Sequence, residues 1–196
     1  MNKSILICLA DGSEETEVVT TFDLLVRAEN QVRMAKVNSD NGLTVISSRG
    51  VRLLADAPLS TLSEQPFDAI VLPGGMQGAE CFQHSPLLLE CVRRMHLNGK
   101  LVAAICAAPA LVLQHNQLFS QANMTCFPAL KDRIPADRWV DQRVVYDERY
   151  RLLTSQGPGT AMDFALHIIA LLCSRPAAAK VAAQLVLPYG IANFQD

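Results

Sequence analysis

The strongest constraint on the fold of this 196-residue chain is an alternation of short apolar runs with longer helical patterns. The runs Ser4–Ala10, Ala69–Leu72 and Leu101–Ile105 are apolar almost throughout, which is typical of parallel strands buried on both faces. Such alternation predicts an α/β fold with a mostly parallel sheet covered by helices on both faces. The other predicted strands are Val32–Val37, a short β excursion over Leu43–Leu54, Val144–Tyr146 and Leu152–Ser155, and the predicted helices are Glu14–Ala28, Pro86–Asn98, Ala107–His115, Thr160–Cys173 and Pro176–Leu185.

Three of the predicted strands end in turns of glycine or other small residues. These turns are Asp11-Gly12, Gly74-Gly75 and Cys106-Ala-Ala. Ligands of parallel α/β sheets bind beyond the carboxyl ends of the strands. We therefore expect the functional site where the three turns meet.

Composition places the chain among globular proteins and excludes several classes. Half of the residues are hydrophobic, 18% are charged and the net charge is −2, so the chain lacks the basic character of a nucleic-acid-binding protein. The apolar run Ile5–Ala10 is too short for a signal peptide, and no run approaches the 18 residues or so of a membrane span. These observations predict one cytoplasmic domain over residues 1–196. Six cysteines without CxxC spacing predict free thiols and no metal site.

The segment Leu101–Ala110 has the layout of a nucleophile elbow. An apolar strand leads directly into Cys106, which is followed by small residues and by Pro109 at a predicted helix start. The N-terminus of that helix would point its N–H groups at the sulfur and favour the thiolate. The alternative is that Cys106 is one more buried cysteine at the end of a strand.

Three glutamates open the first predicted helix and are candidates for an acid or base. Glu14, Glu15 and Glu17 lie at the same sheet edge as Cys106, and all three could instead simply complement the helix dipole. If one of them touches Cys106, the thiol and the carboxyl cannot both be charged at low cost. The pair would then share a proton and titrate as a unit.

The glycines at the end of the Ala69–Leu72 strand are the third part of the predicted site. Gly74 and Gly75 allow the backbone to approach a ligand closely. The N–H groups of Gly75 and Ala107 could form an oxyanion hole for a carbonyl attacked by Cys106. An ordinary tight turn is the alternative reading of the two glycines.

The histidines do not offer a partner for a cysteine–histidine triad. His84, His96, His115 and His167 all lie in or beside predicted helices, away from the sheet edge. A glutamine amidotransferase shares the elbow but requires a histidine base, so this activity is disfavoured.

Four segments together resemble the ThiJ/PfpI superfamily, and in particular its branch with the human parkinsonism-associated deglycase. They are Gly12-Ser-Glu-Glu-Thr-Glu17, Leu72-Pro-Gly-Gly75, Ala103-Ala-Ile-Cys-Ala-Ala-Pro109 and Thr154-Ser-Gln-Gly-Pro-Gly-Thr160. The resemblance implies a flavodoxin-like three-layer sandwich of the class I glutamine amidotransferase-like type, and a homodimer. PfpI-type proteases have histidine directly after the cysteine, whereas this chain has Ala107, which argues against peptidase activity.

The resemblance also implies roles for individual residues. Cys106 would be the nucleophile and would oxidise readily to a sulfinic acid, and Glu17 would be the carboxyl that hydrogen-bonds it. Arg27 and Arg49 match arginines near a dimer-side pocket. Eukaryotic relatives carry a histidine where Phe127 stands, which leaves Glu17 as the acid/base candidate.

Two functions follow from the resemblance. The first is a cysteine-dependent protein deglycase or glutathione-independent glyoxalase, acting on methylglyoxal- or glyoxal-derived adducts in carbonyl and oxidative stress, without a cofactor. Its partners would be small reactive carbonyls or glycated protein side chains, with nucleic acid only as a glycated substrate. The alternative is a redox-sensing chaperone in which oxidation of Cys106 to sulfinate controls binding.

Overall fold

The computed structural model describes residues 2–38 and 42–194. Its strands are β1 (Ser4–Leu9), β2 (Gln31–Lys36), β3 (Thr44–Ile46), β4 (Arg52–Leu54), β5 (Ala57–Pro58), β6 (Ala69–Leu72), β7 (Leu101–Ile105), β8 (Val144–Asp147) and β9 (Leu152–Ser155). Its α-helices are α1 (Glu15–Arg27), α2 (Leu59–Leu62), α3 (Met76–Gln83), α4 (Pro86–Leu97), α5 (Ala161–Leu172) and α6 (Arg175–Ala182). A π-helical turn spans Pro109–Gln114, and 3-10 turns span Pro128–Arg133, Glu148–Tyr150 and Pro158–Thr160.

Seven strands form the central sheet in the order β5-β2-β1-β6-β7-β9-β8. All neighbours pair in parallel except β8, which runs antiparallel to β9. Strands β3 and β4 form a separate antiparallel hairpin. The predicted mostly parallel α/β sandwich is therefore confirmed.

Both faces of the sheet are covered, which explains why its central strands β1, β6 and β7 are apolar almost throughout. On β1, Ile5, Ile7 and Leu9 belong to an apolar cluster with α1, α5 and α6, whereas Leu6 and Cys8 belong to a second cluster with α2, α3 and α4. Because successive side chains of a strand point to opposite faces, two helical layers require every position to be apolar.

The order of the strands brings the three predicted turns together. Strands β1, β6 and β7 are neighbours in the sheet, and each runs into one of the turns at its carboxyl end. The hairpin β3–β4 is joined to the same edge, because the Gly12 N–H donates to the Ile46 carbonyl (2.8 Å) and the Ser48 N–H donates to the Ser13 carbonyl (2.9 Å).

The predicted helix after Cys106 was wrong, and the start of α1 also has its own arrangement. Glu14 is the N-cap residue of α1, and the hydroxyl of the preceding Ser13 accepts a hydrogen bond from the Ala10 N–H (3.0 Å). The predicted helix Ala107–His115 is a short π-helical turn. Pro109 has no N–H to donate, and the His115 N–H bonds to the carbonyl five residues back, that of Ala110 (3.2 Å).

The single domain over 1–196 stays a prediction, and its residues 1, 39–41, 195 and 196 lie outside the described part of the chain. Across the described residues, no helix combines the length and the apolar character needed to cross a lipid bilayer.

Candidate active site

Cys106 sits on a strained turn between β7 and the π-helical turn. Its φ angle is +63°, in the left-handed region that a residue with a side chain seldom adopts. Two backbone hydrogen bonds hold it there: the Cys106 N–H donates to the Ser155 carbonyl (2.9 Å), and its own carbonyl accepts from the Phe127 N–H (2.7 Å). The turn therefore presents a half-buried thiol at the carboxyl edge of the sheet.

The neighbouring glycines are required by the close approach of the β6 turn to the elbow. A Cβ atom on Gly74 would lie 2.5 Å from the Cβ atom of Cys106 and 3.0 Å from its sulfur. Gly75 has a φ angle of +83°, and a Cβ atom there would collide with the Gly12 carbonyl. With these side chains absent, the N–H groups of Gly75 and Ala107 approach the Cys106 sulfur and act to lower its pKa.

Of the three candidate glutamates, the structure brings Glu17 against the thiol. Glu17 lies in the first turn of α1 and is 1% exposed. Its Oε2 atom accepts a hydrogen bond from the Gly74 N–H (2.7 Å). Its Oε1 atom has no partner with ordinary hydrogen-bond geometry among the described residues, and the polar side chain that acts on this carboxyl is the thiol of Cys106.

The other two glutamates have different roles. Glu14 lines the opening above Cys106 and accepts a hydrogen bond from the Ser48 hydroxyl (2.6 Å). Glu15 anchors the loop between β3 and β4, because it accepts from the Ser48 hydroxyl (2.8 Å) and from the Arg49 N–H (2.9 Å). Its hydrogen bonds lower the pKa of the Glu15 carboxyl although its burial opposes this change.

Burial sets the ionisation of the thiol and the carboxyl. Burial raises the pKa of Glu17 to about 7, an effect that the Gly74 N–H and the Cys106 thiol partly offset and the charge on Glu14 reinforces. Burial, followed by the charge on Glu17, raises the pKa of Cys106 to about 12, against the lowering effect of the Gly75 and Ala107 N–H groups.

The expected stabilisation of the thiolate by a helix N-terminus is therefore not observed. The turn after Cys106 is short and π-helical, and the loss of water and the neighbouring carboxylate outweigh its N–H groups. Between about pH 7 and pH 12 the pair therefore keeps one proton, because ionisation of either group opposes ionisation of the other.

The thiol opens into a cleft of about 350 Å³. Its lining combines the polar side chains of Glu14, Ser48, Arg49 and Gln77 with the apolar side chains of Met76, Phe127 and Pro158 around Gly12, Gly75, Cys106 and Ala107. A larger opening of about 570 Å³ beside Lys131, Arg133 and Trp139 does not include the thiol. The chemistry therefore belongs to the smaller cleft.

The two predicted arginines lie in different places. Arg49 lines the cleft. Arg27 lies at the other end of α1 from Glu17, pairs with Asp23 (2.8 Å) and does not line the cleft of this chain. Its role in a dimer-side pocket stays a prediction.

Sequence reasoning missed the residues that shape the walls of the cleft. Met76 and Gln77 begin α3, a helix that directly follows the glycine turn and was not predicted. Ser48 belongs to a loop whose position depends on contacts with residues distant in sequence, such as Glu14. Only their position beside Gly75 and Arg49 could have drawn attention to them.

The four histidines, all within the described residues, do not line the cleft, as predicted. His84 and His167 each bond a carbonyl of their own helical segment, and His96 packs against Phe119 with ring centroids 4.6 Å apart. Within 2–38 and 42–194, no cluster of three or more histidine, cysteine or carboxylate side chains is placed to hold a metal ion.

Three of the other cysteines pack in the interior. Cys8, Cys91 and Cys126 are buried, and burial raises the pKa of Cys126 to about 12. Cys173 is exposed at the end of α5, where its thiol donates to Asn30 Oδ1 (3.3 Å).

Comparison with known proteins gives a consistent result. A model of the DJ-1/PfpI family matches residues 3–171. Protein DJ-1 homolog B of Arabidopsis thaliana is 41% identical over 165 residues, which are 84% of this chain and 37% of that protein. The chain thus spans less than half the length of this plant relative. Protein dj-1beta of Drosophila melanogaster is 37% identical over 190 residues, 96% of this chain and all of that protein.

A third relative carries an activity in its name. Glutathione-independent glyoxalase DJR-1.2 of Caenorhabditis elegans is 35% identical over 173 residues, 87% of this chain and 89% of that protein.

Solved structures share both the fold and much of the sequence. The crystal structure of VC2308 protein has a TM-score of 0.94 and 50% identity, covering 96% of this chain and 95% of that one. Oxidized DJ-1 of Toxoplasma gondii has a TM-score of 0.90 and 37% identity, covering 95% of this chain and all of that one.

Proposed function

The chain belongs to the DJ-1/PfpI family, and from that premise we propose that it is a cysteine-dependent glyoxalase and protein deglycase that acts without glutathione. The observation that carries the proposal is the contact between a buried Glu17 carboxyl and a Cys106 thiol that opens into a cleft. A relative with full-length similarity is named as a glutathione-independent glyoxalase, which supports the same reaction class.

The first step is addition of Cys106 to the aldehyde carbon of an α-oxoaldehyde. The sulfur forms a bond to that carbon, and the thiol proton passes through the Glu17 carboxylate to the new alkoxide oxygen, which gives a neutral hemithioacetal. The Gly75 and Ala107 N–H groups, which act on the sulfur in the free protein, would stabilise the oxygen while it carries negative charge.

The second step is an internal transfer of hydrogen. Glu17 as carboxylate removes the proton from the former aldehyde carbon, the electron pair forms an enediol, and a proton returns to the neighbouring carbon. The product is a thioester of Cys106, in which one carbon has been oxidised and the next reduced, so no external oxidant is required. Water then cleaves the thioester to release lactate from methylglyoxal or glycolate from glyoxal.

The substrates of this proposal are small reactive carbonyls and their adducts on protein side chains. A cleft of about 350 Å³ lies at the lower end of the range for small-molecule sites, and it is open enough for a side-chain adduct to enter. Glycated nucleic acid would be a substrate of the same chemistry. Arg49, on the wall of the cleft, would contact polar groups of the adduct.

We also propose a homodimer. Apolar side chains remain exposed on α1 and on the adjoining hairpin, where Val19, Val26, Ile46 and Leu54 are 45–68% exposed. A second copy would cover such surface. Analytical ultracentrifugation that shows a monomer at micromolar concentration would contradict this part of the proposal.

The test of the enzyme is lactate release from methylglyoxal by the purified protein. We expect Cys106→Ser and Glu17→Gln to lose at least about a hundredfold in kcat/KM, because each removes a group that forms or moves a bond. Cys126→Ser is the matched control, since it removes a buried thiol next to Phe127, whose N–H bonds the Cys106 carbonyl, without removing a reacting group. Equal rates in all four proteins, after spontaneous adduct reversal has been subtracted, would refute the mechanism.

A second function, redox sensing, is favoured by one feature of the same site. The Gly75 and Ala107 N–H groups and a protonated Glu17 would each hydrogen-bond an oxygen on an oxidised Cys106 sulfur. Two equivalents of peroxide convert the thiol to a sulfinic acid and release two molecules of water. Intact mass after mild peroxide treatment should increase by about 32 Da at Cys106 alone, and oxidation should alter the binding of unfolded client protein.

A further inference from the structure

The inward face of α1 holds a second buried polar side chain next to Glu17. Thr21 lies one helical turn after Glu17, and both residues are 1% exposed. Residues four apart on a helix share a face, with Cβ atoms about 5–6 Å from each other. Thr21 and Glu17 therefore lie on the same buried face of α1, one turn apart.

Both of these side chains have a polar atom without a partner. Among the described residues, neither Glu17 Oε1 nor Thr21 Oγ1 makes a hydrogen bond. A threonine inside a helix ordinarily directs its hydroxyl to a carbonyl three or four residues back, and Thr21 does not do so. Buried polar groups are rarely left unsatisfied, and ordered water commonly bonds those that no protein group reaches.

We propose that Thr21 is a positioning residue for Glu17, and that Thr21 Oγ1 and Glu17 Oε1 together bind one buried water molecule. The hydroxyl donates to this water, and the water donates to the carboxylate oxygen. Glu17 Oε2 stays bonded to the Gly74 N–H, so the carboxyl is held from both sides. The proposal rests on the proposed function in one respect, because it assumes that Glu17 carries the proton of Cys106.

The consequence is a change in the ionisation of Glu17. A hydrogen bond to the carboxylate favours the charged form and lowers its pKa. The other titratable groups that act on Glu17 are the Cys106 thiol from the elbow and the Glu14 carboxylate from the start of its own helix. On α5, which packs along α1, Asp163 is bonded by Arg143 (2.6 Å).

Further titratable side chains of the packed elements have their own partners. On α5, the His167 ring is hydrogen-bonded to the Asp163 carbonyl (2.7 Å). On the hairpin side, the Glu15 carboxyl is occupied by the Ser48 hydroxyl and the Arg49 N–H. The Thr21 hydroxyl is a neutral group on the same face of α1 as Glu17, and it has no protein partner of its own among the described residues.

The experiment measures the pH dependence of Cys106 alkylation by iodoacetamide in the full chain. This rate reports ionisation of the thiol–carboxyl pair directly and needs no turnover, so it remains informative if the glyoxalase proposal fails. The variants are Thr21→Val, which keeps the shape and removes the hydroxyl, and Thr21→Ser, which keeps the hydroxyl. Thr20→Val is the matched control, since Thr20 is the half-exposed neighbour on the same helix.

We expect the first alkylation step, near pH 7 in the wild type, to move to higher pH by about 0.5–1 in Thr21→Val. Since one pH unit corresponds to a factor of about ten, the acid dissociation constant of the first step falls by about three- to tenfold. Thr21→Ser and Thr20→Val should keep the wild-type midpoint. A Thr21→Val profile that superimposes on the wild type overturns the proposal, as does an equal shift in Thr21→Ser.

A crystal structure of the wild type at high resolution gives the second readout. Electron density for a water within about 2.6–3.2 Å of both Thr21 Oγ1 and Glu17 Oε1 supports the site. Continuous protein packing between the two oxygens, with no water density, overturns it. This measurement decides the question even if Thr21→Val does not fold.

Discussion

Replacement of Glu17 by glutamine should make the stability of the protein less sensitive to pH. The side chain is 1% exposed and its carboxyl has a pKa of about 7 in the folded state, raised from the ordinary 4.5 mainly by burial. Glutamine has almost the same shape, and its amide oxygen can still accept the hydrogen bond of the Gly74 N–H. The substitution therefore removes an ionisation with little disturbance of the packing.

The sign follows from the raised pKa. Between pH 4.5 and about 7 the folded protein keeps the Glu17 proton, whereas the unfolded chain has lost it. The unfolded state therefore binds fewer protons, and the free energy of unfolding falls as pH rises through this window. A change of one in pKa is worth about 1.4 kcal/mol, so the wild type should lose about 2.5 kcal/mol relative to Glu17→Gln between about pH 5 and about pH 8.

The assay is urea denaturation of both proteins at a series of pH values, with the difference in unfolding free energy plotted against pH. Glu15→Gln is the control, because hydrogen bonds lower the pKa of Glu15, which leaves it ionised in both states throughout this range. The difference in unfolding free energy between Glu15→Gln and the wild type should not change with pH. A difference between Glu17→Gln and the wild type that varies by less than about 0.5 kcal/mol would refute the burial argument.

Two further outcomes are expected at the same site. In Glu17→Gln, the pH profile of Cys106 alkylation should change from two steps, near pH 7 and pH 12, to a single step below pH 12. The reason is that the carboxylate charge that opposes thiolate formation is gone. A step that persists near pH 7 would contradict the coupling of the two ionisations. Gly74→Ala should destabilise the fold by about 1–3 kcal/mol in thermal or urea unfolding, because the added Cβ atom meets Cys106 at 2.5 Å. Gly159→Ala, whose Cβ atom would meet nothing within 4 Å, is its control and should be close to neutral.

The fold was largely predictable because its sheet is buried on both faces. The predicted bounds of strands β6, β7 and β9 are those of the structure, and β6 and β7 are apolar throughout because helices cover both faces of the sheet. The short elements were harder to predict from the sequence. Strand β5 is two residues long and pairs with β2 through only Ala35 and Lys36, so its position depends on a distant partner rather than on its own sequence.

The site was predictable in its residues and not in its electrostatics. The turn sequence around Cys106 indicated the elbow, and the spacing of α1 placed a glutamate at the same edge. The family resemblance selected Glu17 from the three candidates, and the geometry agrees, since Glu17 is the one that acts on the thiol. The burial that raises the pKa values of Glu17 and Cys106 depends on the packing of the β6 turn against the elbow. No single segment of the sequence predicts it.

The raised pKa of Cys106 does not exclude nucleophilic attack, because the Glu17 carboxyl lies against the thiol and can accept its proton. A thiol with a pKa of about 12 is almost fully protonated near neutral pH, but a thiolate of high pKa is intrinsically the stronger nucleophile. Glu17, with a pKa of about 7, can take the proton as the sulfur attacks and return it afterwards. Burial thus moves the pKa of a glutamate into the range in which histidine ordinarily acts as a base, so the proposed reaction would not require a histidine. It follows that reactivity of Cys106 should track the ionisation of Glu17, rising with pH through about 7 and then levelling off.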